Sequence, residues 1–116
     1  MQYLLMIYTN EAEENALSEA DTAAMMAGYD RFTEGLIQSG QFKAGERLRP
    51  VADATTVRVR EGRTLITDGP FAETREQLGG YYLIEAKDLD EATAIAARIP
   101  SAGMGSIEVR PIWPMS

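Results

Sequence analysis

Gln2-Tyr3-Leu4-Leu5-Met6-Ile7-Tyr8-Thr9 are the eight residues whose reading decides the fold class. Apolar side chains stand at both parities: Tyr3, Leu5 and Ile7 on one face of a strand, Leu4, Met6 and Tyr8 on the other. A strand apolar on both faces belongs in the middle of a sheet that is covered on both sides. Tyr81–Ala86 has the same character and reads as a second such strand.

The elements between them follow from local signals. Asn10–Leu17 is polar and acidic and reads as a loop. Ser18 with Asp21 three residues on is a capping-box signature. Met25, Tyr29, Phe32 and Leu36 then recur at i, i+4, i+7 and i+11, one face of a helix that Gly40 ends. Met25 and Met26 read as core fillers and not as a ligand surface. Gln41–Pro50 is a second extended segment. Thr55–Arg60 alternates, Glu61-Gly62 is a two-residue turn, and Arg63–Thr67 returns as the hairpin partner. Asp68-Gly69-Pro70 breaks that strand, Phe71–Gln77 is a polar connection, and Gly79-Gly80 marks a sharp change of direction. After Tyr81–Ala86, Asp88 or Asp90 caps a second helix whose apolar face is Ala92, Ile95, Ala96 and Ile99, stopped by Pro100. Ser106–Arg110 is the last strand, and the apolar tail Pro111-Ile112-Trp113-Pro114 is expected to dock on something.

The order is strand–helix–strand, hairpin, strand–helix–strand. That is an α+β, ferredoxin-like plan with an inserted β-hairpin, in one domain over residues 1–116. Two helices cover one face of the sheet. The other face needs another layer, and the simplest is the same sheet of a second copy about a two-fold axis. A homodimer is therefore expected.

Composition removes whole classes of chemistry. There is no cysteine, hence no disulfide, thiol nucleophile or cysteine metal site. There is no histidine, hence no usual general base near neutral pH and no Ser-His pair. The net charge of −7 disfavours nucleic acid. Basic side chains cluster in Lys43–Arg49 and Arg58–Arg63, either as solvated strand faces or as an anion site. The apolar run at the N-terminus is short and lacks a basic flank, and nothing approaches the ~20 apolar residues of a membrane span. The expected location is the cytoplasm.

Thr67-Asp68-Gly69-Pro70-Phe71-Ala72-Glu73, followed by Arg75-Glu76-Gln77-Leu78-Gly79-Gly80-Tyr81, resembles the signature of the DGPF domain family within the YCII-related group. Gly45-Glu46-Arg47-Leu48, Thr55-Thr56-Val57-Arg58, Ala97-Arg98-Ile99-Pro100 and Glu108-Val109-Arg110-Pro111 extend the resemblance, in order, from about residue 2 to residue 113. The resemblance implies a dimeric α+β barrel built on a ferredoxin-like protomer. It implies little about activity. Some relatives carry a His–Asp pair proposed as catalytic, which a chain without histidine cannot inherit. Members are often encoded beside sigma factors of the extracytoplasmic-function class, which implies a regulatory link. Arg75 stands where lysine is expected; the charge is kept.

Asp68 is the first candidate: a carboxylate at a Gly-Pro turn, beside Phe71, is placed either for acid–base work or to cap its own turn. Gly69 and Pro70 shape that turn. Glu46 and Glu73 are candidate neighbours; clustered carboxylates separate one another's pKa values or hold a hard cation such as Mg²⁺. Arg58, with Arg60 on the same strand face, and Arg75 could hold an anionic substrate group or pair with nearby acids. Tyr81 and Tyr82 read as core or interface aromatics, or as a phenol acid. No metal and no cofactor is expected, and no glycine-rich nucleotide loop opens a helix. Two readings stand: a dimer that binds or transforms a small molecule, and a non-catalytic interaction module linked to a sigma factor.

Overall fold

Strand β1 (Gln2–Thr9) alternates half-buried and buried residues along its length, and its buried set is Tyr3, Leu5, Ile7 and Thr9. The computed structural model describes residues 1–115. In it β1 lies mid-sheet, antiparallel to both β5 (Gln77–Glu85) and β6 (Ser106–Pro111), with β2 (Phe42–Arg47) added on the far side of β5. The order β2-β5-β1-β6 is the ferredoxin-like arrangement. Strands β3 (Thr55–Arg60) and β4 (Arg63–Asp68) form a separate two-stranded sheet inserted between β2 and β5. Glu61 and Gly62 join them with φ of 52° and 75°, the two left-handed residues of a tight hairpin turn.

The helices are placed by their caps and apolar faces. α2 (Glu19–Gln38) starts where the Ser18 hydroxyl accepts from the Asp21 N–H at 3.0 Å. α3 (Leu89–Ala96) starts at Asp88, not Asp90: its carboxylate accepts from the Glu91 N–H at 2.9 Å. Leu36, the α3 face Ala92, Ile95 and Ala96, and Ile99 just beyond that helix pack on Tyr3, Leu5 and Ile84. On the opposite face of the sheet Leu4 faces Leu83 and Arg110, and Met6 faces Tyr81 and Glu108, all outside that core.

Three expectations are corrected. Asn10–Leu17 is not all loop: α1 (Glu11–Asn15) forms there because Asn10 Oδ1 accepts from the Glu13 N–H and the first turn is acidic. Gly79-Gly80 is not a turn but part of β5. Ile7 faces Gly80 and Tyr8 faces Leu78, so Gly79 is the extra residue of a β-bulge. Met25 and Met26 do not fill the core: Met25 is half-buried and Met26 is 42% exposed. The tail runs on from β6 with the Ile112 N–H donating to the Gln2 carbonyl at 2.9 Å, and Trp113 beyond it is 89% exposed.

Candidate functional site

A cleft of about 300 Å³ lies between α2 and the β2–β5 edge of the sheet. Two glycines allow the sheet floor to close beneath it. A Cβ on Gly45 would lie 2.9 Å from Tyr82 Cδ1, and one on Gly80 would lie 2.8 Å from the Glu46 carbonyl oxygen. Without them the Tyr82 ring could not lie along β2, and β2 could not approach β5. Phe32 and Phe42 hold that ring edge-on, at centroid distances of 5.1 and 6.3 Å.

The walls carry polar groups that are already paired. Tyr29 donates its phenol to Ser101 Oγ at 2.7 Å, joining α2 to the segment before β6. Thr33 and Tyr82 share a hydroxyl–hydroxyl bond at 2.7 Å. Buried Thr9, at the end of β1, donates to the Glu14 carboxylate of α1. Burial pushes both phenols above their ordinary pKa of 10.0, and the bonds to Ser101 and Thr33 oppose this only in part. At neutral pH Tyr29 and Tyr82 are therefore uncharged donors and acceptors. Glu14, Asp30 and Arg47 supply the charge near the mouth. Among the described residues Arg47 is the only cation lining the cleft and is in no ion pair. A smaller recess of about 200 Å³ shares Glu14, Met25, Met26 and Arg47 with it.

The mouth is tied down by α1. Asn10 Nδ2 donates to the Arg75 carbonyl, the Glu11 N–H donates to Gln77 Oε1, and the Glu11 carboxylate accepts from the Val51 N–H. The short helix thus pins both the segment after β2 and the segment before β5. Such a site can bind a small molecule with one apolar face, orient its hydroxyl or anionic group on Arg47, and exchange a proton with Glu14.

The YCII-related domain matches residues 1–116. This chain belongs to that family. An uncharacterised protein of Rhizobium meliloti is 37% identical over 114 residues, covering 97% of this chain and 92% of its own. The structure of 5-chloro-2-hydroxyhydroquinone dehydrochlorinase from Burkholderia phenoliruptrix, in complex with 2,5-dihydroxybenzoquinone, superposes with a TM-score of 0.55 at 16% identity. It covers all of this chain and 96% of the dehydrochlorinase, a likeness of fold.

In this YCII-related domain the residues singled out from sequence fall in two places. Glu46, Tyr81, Gly79 and Gly80 border the cleft. Glu46 faces Tyr81 across β2 and β5, on the sheet face away from Tyr82 and α2, so these two border the cleft through their backbone and their side chains belong to the uncovered face. Asp68, Arg58, Phe71 and Glu73 lie on or beside the hairpin, away from it and exposed. Asp68 faces Thr55 at the end of the β3–β4 ladder. Gly69, with φ of 94°, turns the chain there and donates its N–H to the Ala54 carbonyl, and Pro70 follows. Arg58 reaches the Phe71 carbonyl at 3.4 Å, and the Phe71 ring is 78% exposed. Arg75 does not line the cleft; its carbonyl accepts from Asn10 Nδ2 at 2.9 Å. Among the described residues no three carboxylates converge on one point, and no helix is long and apolar enough to cross a membrane.

Sequence reasoning missed Glu14, Tyr29, Thr33 and Ser101 as cleft residues. A signal for two of them was present. Met25, Tyr29 and Thr33 stand four apart on α2, a stripe whose members gain hydroxyls toward the C-terminal end. A stripe meant only for the core has no use for such hydroxyls.

Proposed function

We propose that this YCII-related domain binds a small, partly apolar molecule with a hydroxyl or anionic group in the α2–sheet cleft and acts on it by acid–base chemistry. The observation that carries this reading is the unpaired Arg47 at the mouth of a cleft walled by Tyr29, Tyr82, Met25 and Met26. The volume of about 300 Å³ stands at the small end of ligand sites, room for a single ring. A protein of the same fold acts on a chlorinated hydroxyhydroquinone and holds a dihydroxybenzoquinone, which supports a hydroxylated ring as the ligand class. Glu14 serves as the proton acceptor, and the protonated phenols hold the ring oxygens. The sequence signature around Asp68 supports assignment to the DGPF branch. The working form is a cytoplasmic homodimer paired through the uncovered sheet face.

Thermal denaturation with 2,5-dihydroxybenzoquinone and simple hydroxybenzoates tests it, on wild type, Arg47→Ala and Asp68→Asn. A ligand at about 100 times its dissociation constant adds roughly 2.7 kcal/mol of stability. The expected result is a shift that Arg47→Ala abolishes and Asp68→Asn keeps. A shift lost only in Asp68→Asn moves the site to the hairpin. No shift with any probe overturns the reading in favour of the interaction module, which the exposed hairpin would then serve.

A further inference from the structure

The β3–β4 hairpin is the part of the molecule that its own core does not explain. Val57, Val59 and Ile66 are 60%, 59% and 68% exposed. Val57 faces Ile66 directly across the ladder, and Val59 follows Val57 at the strand period, so the three form one stripe. Arg58, Arg60 and Arg63 alternate onto the other face. A two-stranded hairpin alone in water is marginal at best, and an apolar stripe that covers nothing makes it more so. The hairpin also projects. The radius of gyration is 16.2 Å, where a compact chain of this length has about 13 Å.

We infer that the hairpin is an arm that packs its Val57–Val59–Ile66 face on a second copy of this chain, each copy clasping the other. The inference rests on the two-copy assembly proposed above and adds the element that secures it. Two observations select a second copy as the occupant. The first is charge: residues 55–68 carry Arg58, Arg60 and Arg63 against Glu61 and Asp68, a net of +1, while the chain carries −7 overall, so the body left behind is strongly acidic. A weakly basic arm is drawn toward the acidic body of an identical molecule at long range, with its arginines on the outer face and its apolar stripe inward. The second is area. Four strands about 4.8 Å apart and some 20 Å long offer about 400 Å² of open sheet face per copy. Two such faces bury about 800 Å² in total, below the roughly 1,200–2,000 Å² of a stable specific interface. A pair of arms, each about 20 Å long, supplies what the sheet lacks. The contact is isologous, so one stripe is used twice.

Sedimentation equilibrium of the full chain at micromolar concentration tests this, on wild type, the double variant Val57→Lys/Ile66→Lys and the control Leu65→Lys. All three positions are solvent-exposed in the single chain, so far-UV circular dichroism is expected to be unchanged. The expected result is a two-chain mass for wild type, a dissociation constant raised at least about 100-fold in the double variant, and little change in the control on the arginine face. A double variant that associates like wild type overturns the arm while leaving the two-copy assembly intact. A wild type of single-chain mass overturns both. A control that weakens association as much as the double variant refutes the choice of face. Ligand-induced thermal shifts on the same samples judge the cleft separately.

Discussion

Adjacent glycines on β5 make opposite demands, and exchanging each for alanine tests whether the cleft floor is as tight as described. At Gly80 an added Cβ meets the Glu46 carbonyl oxygen at 2.8 Å and Arg47 Cα at 3.5 Å. Both neighbours are backbone, so relief requires β2 to move off β5. Overpacking of this kind costs about 1–3 kcal/mol. Loss of glycine from the unfolded chain returns about 0.4–1 kcal/mol. The net expectation for Gly80→Ala is a loss of about 1–2 kcal/mol, or a fall in Tm of roughly 4–8 °C for a domain of this size. At Gly79 the nearest group is the Ile7 carbonyl oxygen at 3.9 Å, an ordinary contact. Gly79→Ala is expected to be neutral or to gain up to about 1 kcal/mol from the unfolded state alone. Urea denaturation of the two variants with wild type measures both, and equal m-values confirm that stability alone changed. A neutral Gly80→Ala, or a Gly79→Ala that costs as much, would refute the close seam. Because Gly80 underlies the cleft, its variant is also expected to weaken whatever ligand shift wild type shows.

Leu5 is wholly buried at the centre of β1, and Leu5→Ala is expected to cost about 2–5 kcal/mol by the same denaturation assay. Tyr29 and Tyr82 are raised above 10.0 chiefly by burial, so the native phenols hold their protons longer than the unfolded ones. Stability is therefore full below pH about 10 and is lost as pH rises toward the folded values. Tyr29→Phe and Tyr82→Phe are each expected to remove a late component from the ultraviolet tyrosinate titration and to flatten the alkaline limb. Glu85 lies beside the Met1 ammonium, whose bond holds its carboxyl below 4.5. Its contribution is present above 4.5 and lost as pH falls through the lower folded value. Glu85→Gln is expected to flatten that acid limb in low salt, an effect that high salt screens away.

The fold was legible because its strongest signals are periodic. Leu5 and Ile84 lie on strands apolar at both parities, and both are fully buried. The face Ala92, Ile95, Ala96 and Ile99 was readable from spacing, and all four residues are core. The β3–β4 pairing was readable from alternation around Glu61-Gly62. What failed was local. Two glycines in sequence suit a turn and a bulge equally well. Only the register of β1 against β5, a non-local fact, makes Gly79 the extra residue of a bulge.

The cleft was hidden for a related reason. Spacing says which residues of a helix share a face, but not how closely that face is pressed to its sheet. On α2 the same stripe runs from Leu36, 1% exposed, through the partly buried Phe32 and Tyr29 to the half-buried Met25. Only Leu36 is fully buried, and Tyr29 and Met25, toward the N-terminal end, line the cleft. Its polar groups come from six separate elements: Thr9 from β1, Glu14 from α1, Tyr29 and Thr33 from α2, Arg47 from β2, Tyr82 from β5 and Ser101 from the segment before β6. No short motif can contain them. The conspicuous motif around Asp68 instead sits at the base of the hairpin, where it shapes a turn and faces solvent in one copy. Asp68 lines neither the cleft nor the smaller recess beside it. Either it only fixes where the arm leaves the body, or it acts where the arm lands. Asp68→Asn separates the two, because loss of charge leaves the backbone turn of Gly69 and Pro70 intact. Association and ligand binding that both survive the variant would make the motif a hinge; a loss confined to ligand binding would make it part of the second copy's site.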